Sequence, residues 1–302
     1  DLLQGLSCSV GLRYDYEHAR CDFSKVQQPL NGNGETKSLE QFNRSLHFGQ
    51  FTPRFSMQYL SSHNQLFYAS VSKGYKAGGF NVSFLNNDDY LYSPEYNWNY
   101  EIGTKLSFLN NRLSADLSLF YIDWRNQQIT NTIPTVGNVI RNAGRSRNKG
   151  IEASFQARPT KSWVMYMNYG YTDARFVHYQ KEECGILKDY GGNYLPMVPR
   201  HTFSLTTGYS FYDICSWIDR LTLNAGVSVT GPIYWYEDNQ AKQSPYALVN
   251  LRISINKGCF TWEAWSKNLT NTDYLSYYFV TSKAYAQKGK PITLGTSVSI
   301  SL

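Results

Sequence analysis

The chain has 302 residues and a formal net charge of +6, with 16% aromatic residues (25 of them Tyr, 7 Trp) and only 17% charged ones. Mean hydropathy is −0.45, and no run approaches the ~18 apolar residues of a membrane-spanning helix, so a helical membrane protein is excluded. The Lys and Arg residues are scattered without a recognised motif, which argues against nucleic acid as a partner. Five cysteines (Cys8, Cys21, Cys184, Cys215, Cys259) lack metal-ligand spacing, and their odd number excludes complete intramolecular pairing. The first residue is Asp1, without initiator Met or signal peptide, as expected of a mature protein or a piece of a larger one.

Period-2 alternation predicts about twelve strands, at roughly 5–18, 46–60, 65–75, 96–109, 112–126, 140–158, 161–176, 200–212, 220–235, 245–256, 259–270 and 290–302. Near the start, Cys8 alternates with polar positions and is expected to face lipid as a small hydrophobe. The clearest strand is the fifth. There Leu113, Ala115, Leu117, Leu119 and Tyr121 alternate with Ser114, Asp116, Ser118 and Phe120. In the tenth, Ala247, Val249, Leu251, Ile253 and Ile255 alternate with Asn250, Arg252 and Ser254. The last places Leu294, Thr296, Val298, Ile300 and Leu302 on one face, with Thr293, Gly295, Ser297, Ser299 and Ser301 on the other. Charge on a lipid-facing position is costly, so the polar row marks a wet lumen and the apolar row a bilayer. The aromatic excess then fits girdles at the two lipid–water boundaries. The fold class expected is all-β: a transmembrane antiparallel up-and-down β-barrel, with about 12 strands here. A soluble all-β protein with many surface tyrosines is the alternative.

The connections alternate in length. With the C-terminus in the periplasm, the turns at 61–65, 109–112, 157–161 and 256–259 are short, and the one at 213–219 is somewhat longer. Those at about 17–45, 76–95, 127–139, 177–199, 236–244 and 271–289 are long, as extracellular loops are in outer-membrane barrels. Several strands exceed the ~9–11 residues that cross a bilayer and are expected to project above it, which suits a receptor better than a simple pore.

Several segments, in order along the chain, resemble signatures of the TonB-dependent outer-membrane receptors. They are LFYASVSKGYKAGGFN at Leu66–Asn81, Ser93-Pro94-Glu95 followed by Asn99-Tyr100-Glu101-Ile102-Gly103-Thr104-Lys105, and Asn142-Ala143-Gly144 leading to Lys149-Gly150-Ile151-Glu152. Leu195–Arg200, KNLTNTDY at Lys267–Tyr274 and the closing strand are similar too, although Leu302 stands where that family usually ends in an aromatic. The resemblance implies energised import across the bacterial outer membrane. Such receptors combine a 22-stranded barrel with an N-terminal plug whose TonB box is pulled by an inner-membrane energy-coupling complex. Their ligands are ferric siderophores, haem, cobalamin or glycans. On that resemblance, residues 1–302 are the C-terminal portion of the barrel, with the plug and about ten strands outside this chain. Expected partners are those missing parts, the TonB complex acting through the plug, outer-membrane lipid and lipopolysaccharide, and an iron chelate. A closed twelve-strand barrel acting as an autonomous pore is the competing reading.

No catalytic constellation is visible, and an enzyme is not expected. His18, His47, His63, His178 and His201 are far apart in sequence, so neither a metal site nor a resident cofactor is expected. The Gly74–Gly79 run lacks phosphate-loop spacing. Candidate ligand-binding residues are the loop aromatics Tyr75, Phe80, Phe84, Tyr90 and Tyr92, the basic residues Arg141, Arg145 and Arg147, and Trp235 and Tyr236 at a strand tip. Aromatic rings and guanidinium groups can hold a bulky anionic chelate by stacking and charge-assisted contacts. Tyr234–Tyr236 could equally belong to the outer girdle, and the Arg stretch could meet plug carboxylates or lipopolysaccharide. The boxes typical of haem receptors do not occur, and 76–95 contains no His, so an iron chelate other than haem is favoured and glycan import stays open.

Overall fold

The computed structural model describes residues 5–27, 35, 37–63, 65–84, 87–133, 136–142, 144–183, 186–280 and 283–301. Ala143, Cys184 and Leu302 lie outside the described residues. Twelve strands form one sheet: β1 (Leu6–Gln27), β2 (Lys37–Leu60), β3 (Leu66–Lys76), β4 (Glu95–Phe108), β5 (Leu113–Arg125) and β6 (Arg145–Thr160). They continue as β7 (Trp163–His178), β8 (His201–Cys215), β9 (Ile218–Thr230), β10 (Tyr246–Lys257), β11 (Phe260–Lys267) and β12 (Thr293–Ile300). Each pairs antiparallel with its chain neighbours, β1 at one edge and β12 at the other. Among the described residues β12 does not pair with β1, so the closed twelve-strand barrel does not form.

Registers and glycines identify the faces. Tyr68 pairs with Gly103, Phe120 with Gly150 and Trp265 with Gly295, and a Cβ on any of these glycines would collide with its partner's ring. Each glycine is therefore a floor for a cross-strand aromatic, and all three pairs lie on the face that carries Glu101, Asp116, Glu152 and Glu263. That is the lumen face. The motif glycines Gly103 and Gly150 thereby acquire a packing reason, and the Tyr68 hydroxyl donates to Glu101 at 2.7 Å. The opposite face exposes Val10, Phe55, Ile102, Leu119, Leu251, Leu294 and Val298, together with Cys8. Its height fits a membrane. From Phe108 up to Trp98 on β4 the outer row covers about 34 Å of strand, or about 26 Å of depth at a tilt of about 40°. Tyr100 and Tyr121, cross-strand neighbours near its upper limit, and Trp163 and Tyr209, paired near its lower limit, are placed as girdles.

The boundaries differ from expectation where the chain leaves the lipid. β1 and β2 run to Gln27 and from Lys37, so most of the long 17–45 connection is a tall hairpin. Arg13, Asp15 and Glu17 alternate with Tyr14 and Tyr16 up to the foot of that hairpin, and the antiparallel ladder continues above it to Gln27 and Lys37. The strand expected from residue 140 begins at Arg145, because Gly137–Asn142 pairs instead with Gln128–Ile133. The ninth strand stops at Thr230, and Ile233–Tyr234 pairs with Lys242–Gln243. Gln180–Glu183 with Ile186–Asp189, and Leu275–Val280 with Ala284–Lys288, are further loop hairpins. His18 and His47, far apart in sequence, stack at 4.4 Å across β1–β2, with the Tyr16 hydroxyl 2.8 Å from His47 Nδ1.

Candidate functional site

At the extracellular ends the inner row is covered and the outer row largely is not, Asp123 being its buried member. Ser146, Ala174 and Phe176 are 0%, 2% and 1% exposed, whereas Arg147 and Lys149, on the outer row of β6, are exposed. The loops therefore fold inward over the lumen. Phe176 and Ala174 pack with Tyr179, Tyr190 and Leu195 into the one cluster of buried hydrophobics among the described residues. Residues 192–200 run beside the top of β7, with Leu195 N donating to Ala174 O and Thr172 N to Arg200 O, both at 3.0 Å.

The loop hairpins are tied to each other by side-chain amides. Asn239 holds a left-handed backbone (φ 56°), which Asn tolerates better than most residues. Its Oδ1 accepts from Tyr194 N at 2.7 Å and its Nδ2 donates to Tyr194 O at 2.9 Å. Asn193 Nδ2 donates to Glu237 O, and Gln243 Oε1 accepts from Leu275 N. Asn268, from the KNLTNTDY motif, is 4% exposed; its side chain bonds Thr272 N, Thr272 O and Lys290 O. Glu95, from the Pro-Glu motif, is buried, accepts from Gln128 N at 2.5 Å and approaches Lys76 Nζ at 4.0 Å. These motif residues set where the hairpins leave the sheet.

Between the hairpins lies a cavity of about 660 Å³, within the ~300–1,000 Å³ of small-molecule sites. Its aromatic wall is Trp235, Tyr236, Tyr277, Tyr278, Phe279 and Phe176, and its polar wall includes Gln128, Lys181 and Glu237. Trp235 is 6% exposed, yet among the described residues its Nε1–H has no acceptor, and Gln128 Oε1 has no donor. A buried polar atom without a partner costs about 1–3 kcal/mol, and no described residue offers either atom a hydrogen bond. The Tyr236 hydroxyl accepts from Val280 N at 2.5 Å. Burial pushes its pKa above the ordinary phenol value, so it stays protonated and can donate. Lys181 is held 3.8 Å from Glu237. The cavity can stack a planar aromatic ligand, donate two hydrogen bonds and accept one.

The sequence candidates separate into three places. Trp235 and Tyr236 line the cavity. Phe84 and Tyr90 join Phe23 and Phe42 in a ring cluster with centroids 4.9–6.4 Å apart, Arg44 lying 5.0 Å from the Tyr90 ring. Nearby, Phe80 pairs with Leu91, Tyr92 with Gly79, and Tyr75 with Tyr96. Arg141 forms a two-pronged pair with Asp89, both contacts at 2.7 Å. Arg145 and Arg147 fall on the outer row of β6, away from the cavity: Arg145 bonds Asp123 at 2.5 Å, and Arg147 stands opposite Asp123. Gln128, Lys181 and Tyr277–Phe279 were not singled out from the sequence. The Tyr277-Tyr278-Phe279 run was the available signal, whereas nothing local marks Gln128.

A family model described as "TonB dependent receptor-like, beta-barrel" matches residues 1–271. The pesticin receptor of Yersinia pestis is 24% identical over 303 aligned positions, covering 96% of this chain and 40% of that protein. A probable TonB-dependent siderophore receptor of Acinetobacter baumannii, PiuA, is 25% identical over 241 positions, covering 74% and 30%. Among solved structures, the ferric yersiniabactin uptake receptor FyuA of Y. pestis superposes with a TM-score of 0.81 at 21% identity, over 99% of this chain and 43% of that one. The A. baumannii receptor PiuA superposes with a TM-score of 0.74 at 20% identity, over 99% and 40%. The chain thus spans 30–40% of the length of these curated relatives. Since the family model covers most of the chain, and the sheet has the lipid-facing row the model implies, the chain belongs to the β-barrel family of the TonB-dependent outer-membrane receptors.

Proposed function

We propose that residues 1–302 form the C-terminal barrel portion and part of the ligand-holding cap of a TonB-dependent importer whose cargo is a ferric siderophore. The observation that carries this reading is the cap cavity, with its aromatic wall and the unpartnered Trp235 Nε1–H and Gln128 Oε1. Relatives named as siderophore receptors support it. Trp235, Tyr236 and Tyr277–Phe279 stack the chelate; Trp235, Tyr236 and Gln128 fix its orientation. The cluster around Phe84 and Tyr90, with Arg141 close by, forms the neighbouring wall of the mouth.

The free edges of β1 and β12 pair with the remaining strands of a larger barrel, about 22 in all. Its lumen holds the plug, through which the TonB complex acts. The test is uptake of radiolabelled iron by a receptor-deficient, TonB-positive strain expressing the full-length receptor, supplied with catecholate, hydroxamate or phenolate siderophores. The expected result is TonB-dependent uptake with one class, reduced about tenfold or more by Trp235→Ala. Uptake of haem, cobalamin or glycan instead, or TonB-independent conductance, would contradict it.

A further inference from the structure

Above the membrane β1 and β2 continue as a tall ribbon. From Leu6 to Tyr16 the outer row of β1 covers about 34 Å of strand, or about 26 Å of depth at a tilt of about 40°. Residues beyond Tyr16 therefore stand in water. β2 pairs with β3 only from Arg54 to Leu60, and among the described residues its upper stretch pairs with β1 alone. A two-stranded ribbon is marginally stable in water without further packing. On its inner side this one packs against the loop rings Phe84 and Tyr90 through Phe23 and Phe42. On its outer side, the pair directly above Tyr16 is His18 and His47.

These two histidines are direct cross-strand partners, and both are exposed. Their rings lie 4.4 Å apart between centroids and within 4° of parallel. The Tyr16 hydroxyl occupies His47 Nδ1 at 2.8 Å, which leaves Nε2 as the open nitrogen of that ring. The next cation up the row, Arg20, pairs with Asp22, Nε to Oδ2 at 3.3 Å. Its charge is thereby partly answered, and it is no bar to a second cation nearby. Two nitrogens, each about 2.0–2.1 Å from one ion, stand about 3–3.4 Å apart. Rings stacked at 4.4 Å meet that spacing by turning about χ2, a broad torsion in histidine.

We propose that His18 and His47 form a clip for one divalent transition-metal ion of the kind that prefers imidazole nitrogen, Cu²⁺, Ni²⁺ or Zn²⁺. The ion ties β1 to β2 above the bilayer, where β2 has no other strand beside it. No three His, Cys, Asp or Glu residues stand together among the described residues, so the pair supplies two ligands and water completes the shell. The expectation of no metal site rested on separation along the chain, which the hairpin removes. The clip faces outward, apart from the cap cavity, and it stands or fails independently of the proposed cargo.

The experiment uses the full-length receptor, stripped with chelator, in detergent free of lipopolysaccharide and titrated with Cu²⁺ alone. Electron paramagnetic resonance reads the nitrogen ligands, and calorimetry reads the affinity. Wild type is compared with His18→Ala, His47→Ala and His201→Ala, the last removing an exposed histidine from another strand. Folding of every variant is checked by heat-modifiable gel migration. The expected result is a Cu²⁺ site with two imidazole nitrogens in wild type and in His201→Ala. Affinity falls on the order of tenfold or more in either clip variant. Bound Cu²⁺ slows amide exchange across 18–27 and 37–47 in wild type, since an ion that binds only the paired strands stabilises them. An unchanged spectrum or affinity in His18→Ala or His47→Ala, or exchange indifferent to the ion, would overturn the clip. Displacement of Cu²⁺ by Mg²⁺ at equal concentration would assign the ion to oxygen ligands and overturn it as well.

Discussion

The inner and outer rows at the top of β6 and β7 are one residue apart in sequence and opposite in environment. Ser146, Ala174 and Phe176 are sealed beneath the cap, whereas Arg147 and Lys149 are exposed and Arg175 keeps a 33% exposed side chain. Both rows have left the bilayer, so the difference comes from the loops, which close inward only. A strand that carries lipid on one face and lumen on the other thus continues upward with a packed cap inside and a charged collar outside. On the proposed function, chelate recognition lies on the inner side of that line, and the outer side faces away from it.

The largest effect expected on this comparison comes from the inner row. Phe176→Ala removes a fully buried ring from the cap and should cost about 3–5 kcal/mol, read as faster amide exchange through residues 179–195. Arg147→Ala, on the exposed outer row of β6, should leave that exchange almost unchanged, and equal effects would break the comparison. Lower down, Leu117→Arg places a charge near mid-membrane on the outer row and should cost about 2–4 kcal/mol in a folding titration into vesicles. Ser118→Arg, facing the wet lumen, should cost far less. Asp123→Asn leaves Arg125 and Arg145 without their carboxylate. Both arginines are partly exposed, so about 1 kcal/mol is expected, confined to the tops of β5 and β6. Burial alone would raise the Asp123 carboxyl, but the Arg145 and Arg125 hydrogen bonds outweigh it and hold the pKa below the usual value. A depressed carboxyl stabilises the fold above its unfolded pKa, and that contribution is lost as pH falls through the folded value. The collar should therefore loosen only in strong acid.

The smallest effect lies at the other end. Asp219 accepts from Lys257 Nζ and Gly258 N, both at 2.7 Å. The Lys257 contact, followed by the Gly258 bond, draws its pKa below the ordinary carboxylate value. Protection of the Gly258 amide should persist at neutral pH and disappear as pH falls through that lowered pKa. Protection that strengthens in acid would contradict the assignment.

The sheet was legible because lipid is an unforgiving solvent. Asp116, Arg252 and Glu152 can occupy only one face, and that fixes strand order, faces and the long–short rhythm of connections. Legibility faded above the girdle, where alternation continues in β1 and β2 without a bilayer to enforce it. Short hairpins such as Gln128–Asn142 satisfy their hydrogen bonds locally and leave no periodic trace. Of the site, Trp235 and Tyr236 stood out as aromatics at a strand tip. One dimension cannot separate a girdle ring from a cavity ring, so Tyr277–Phe279 passed unnoticed. Gln128 matters only through what surrounds it. The outward aspect of Arg147 was in principle countable, since it is an even number of residues from Ile151, but reading Arg141, Arg145 and Arg147 as one basic stretch merged two strands and two faces.

The most direct test of the two-faced strand is a nitroxide scan of β5 from Leu113 to Arg125 in the full-length receptor reconstituted in bilayers. Accessibility to oxygen and to a water-soluble nickel chelate is read at each position. The account expects oxygen maxima at Leu113, Ala115, Leu117, Leu119 and Tyr121, nickel maxima at the alternate residues, and a switch to nickel on the outer row at Asp123. Oxygen maxima on Ser114, Asp116 and Ser118, or an outer row still oxygen-accessible at Asp123 and Arg125, would contradict it.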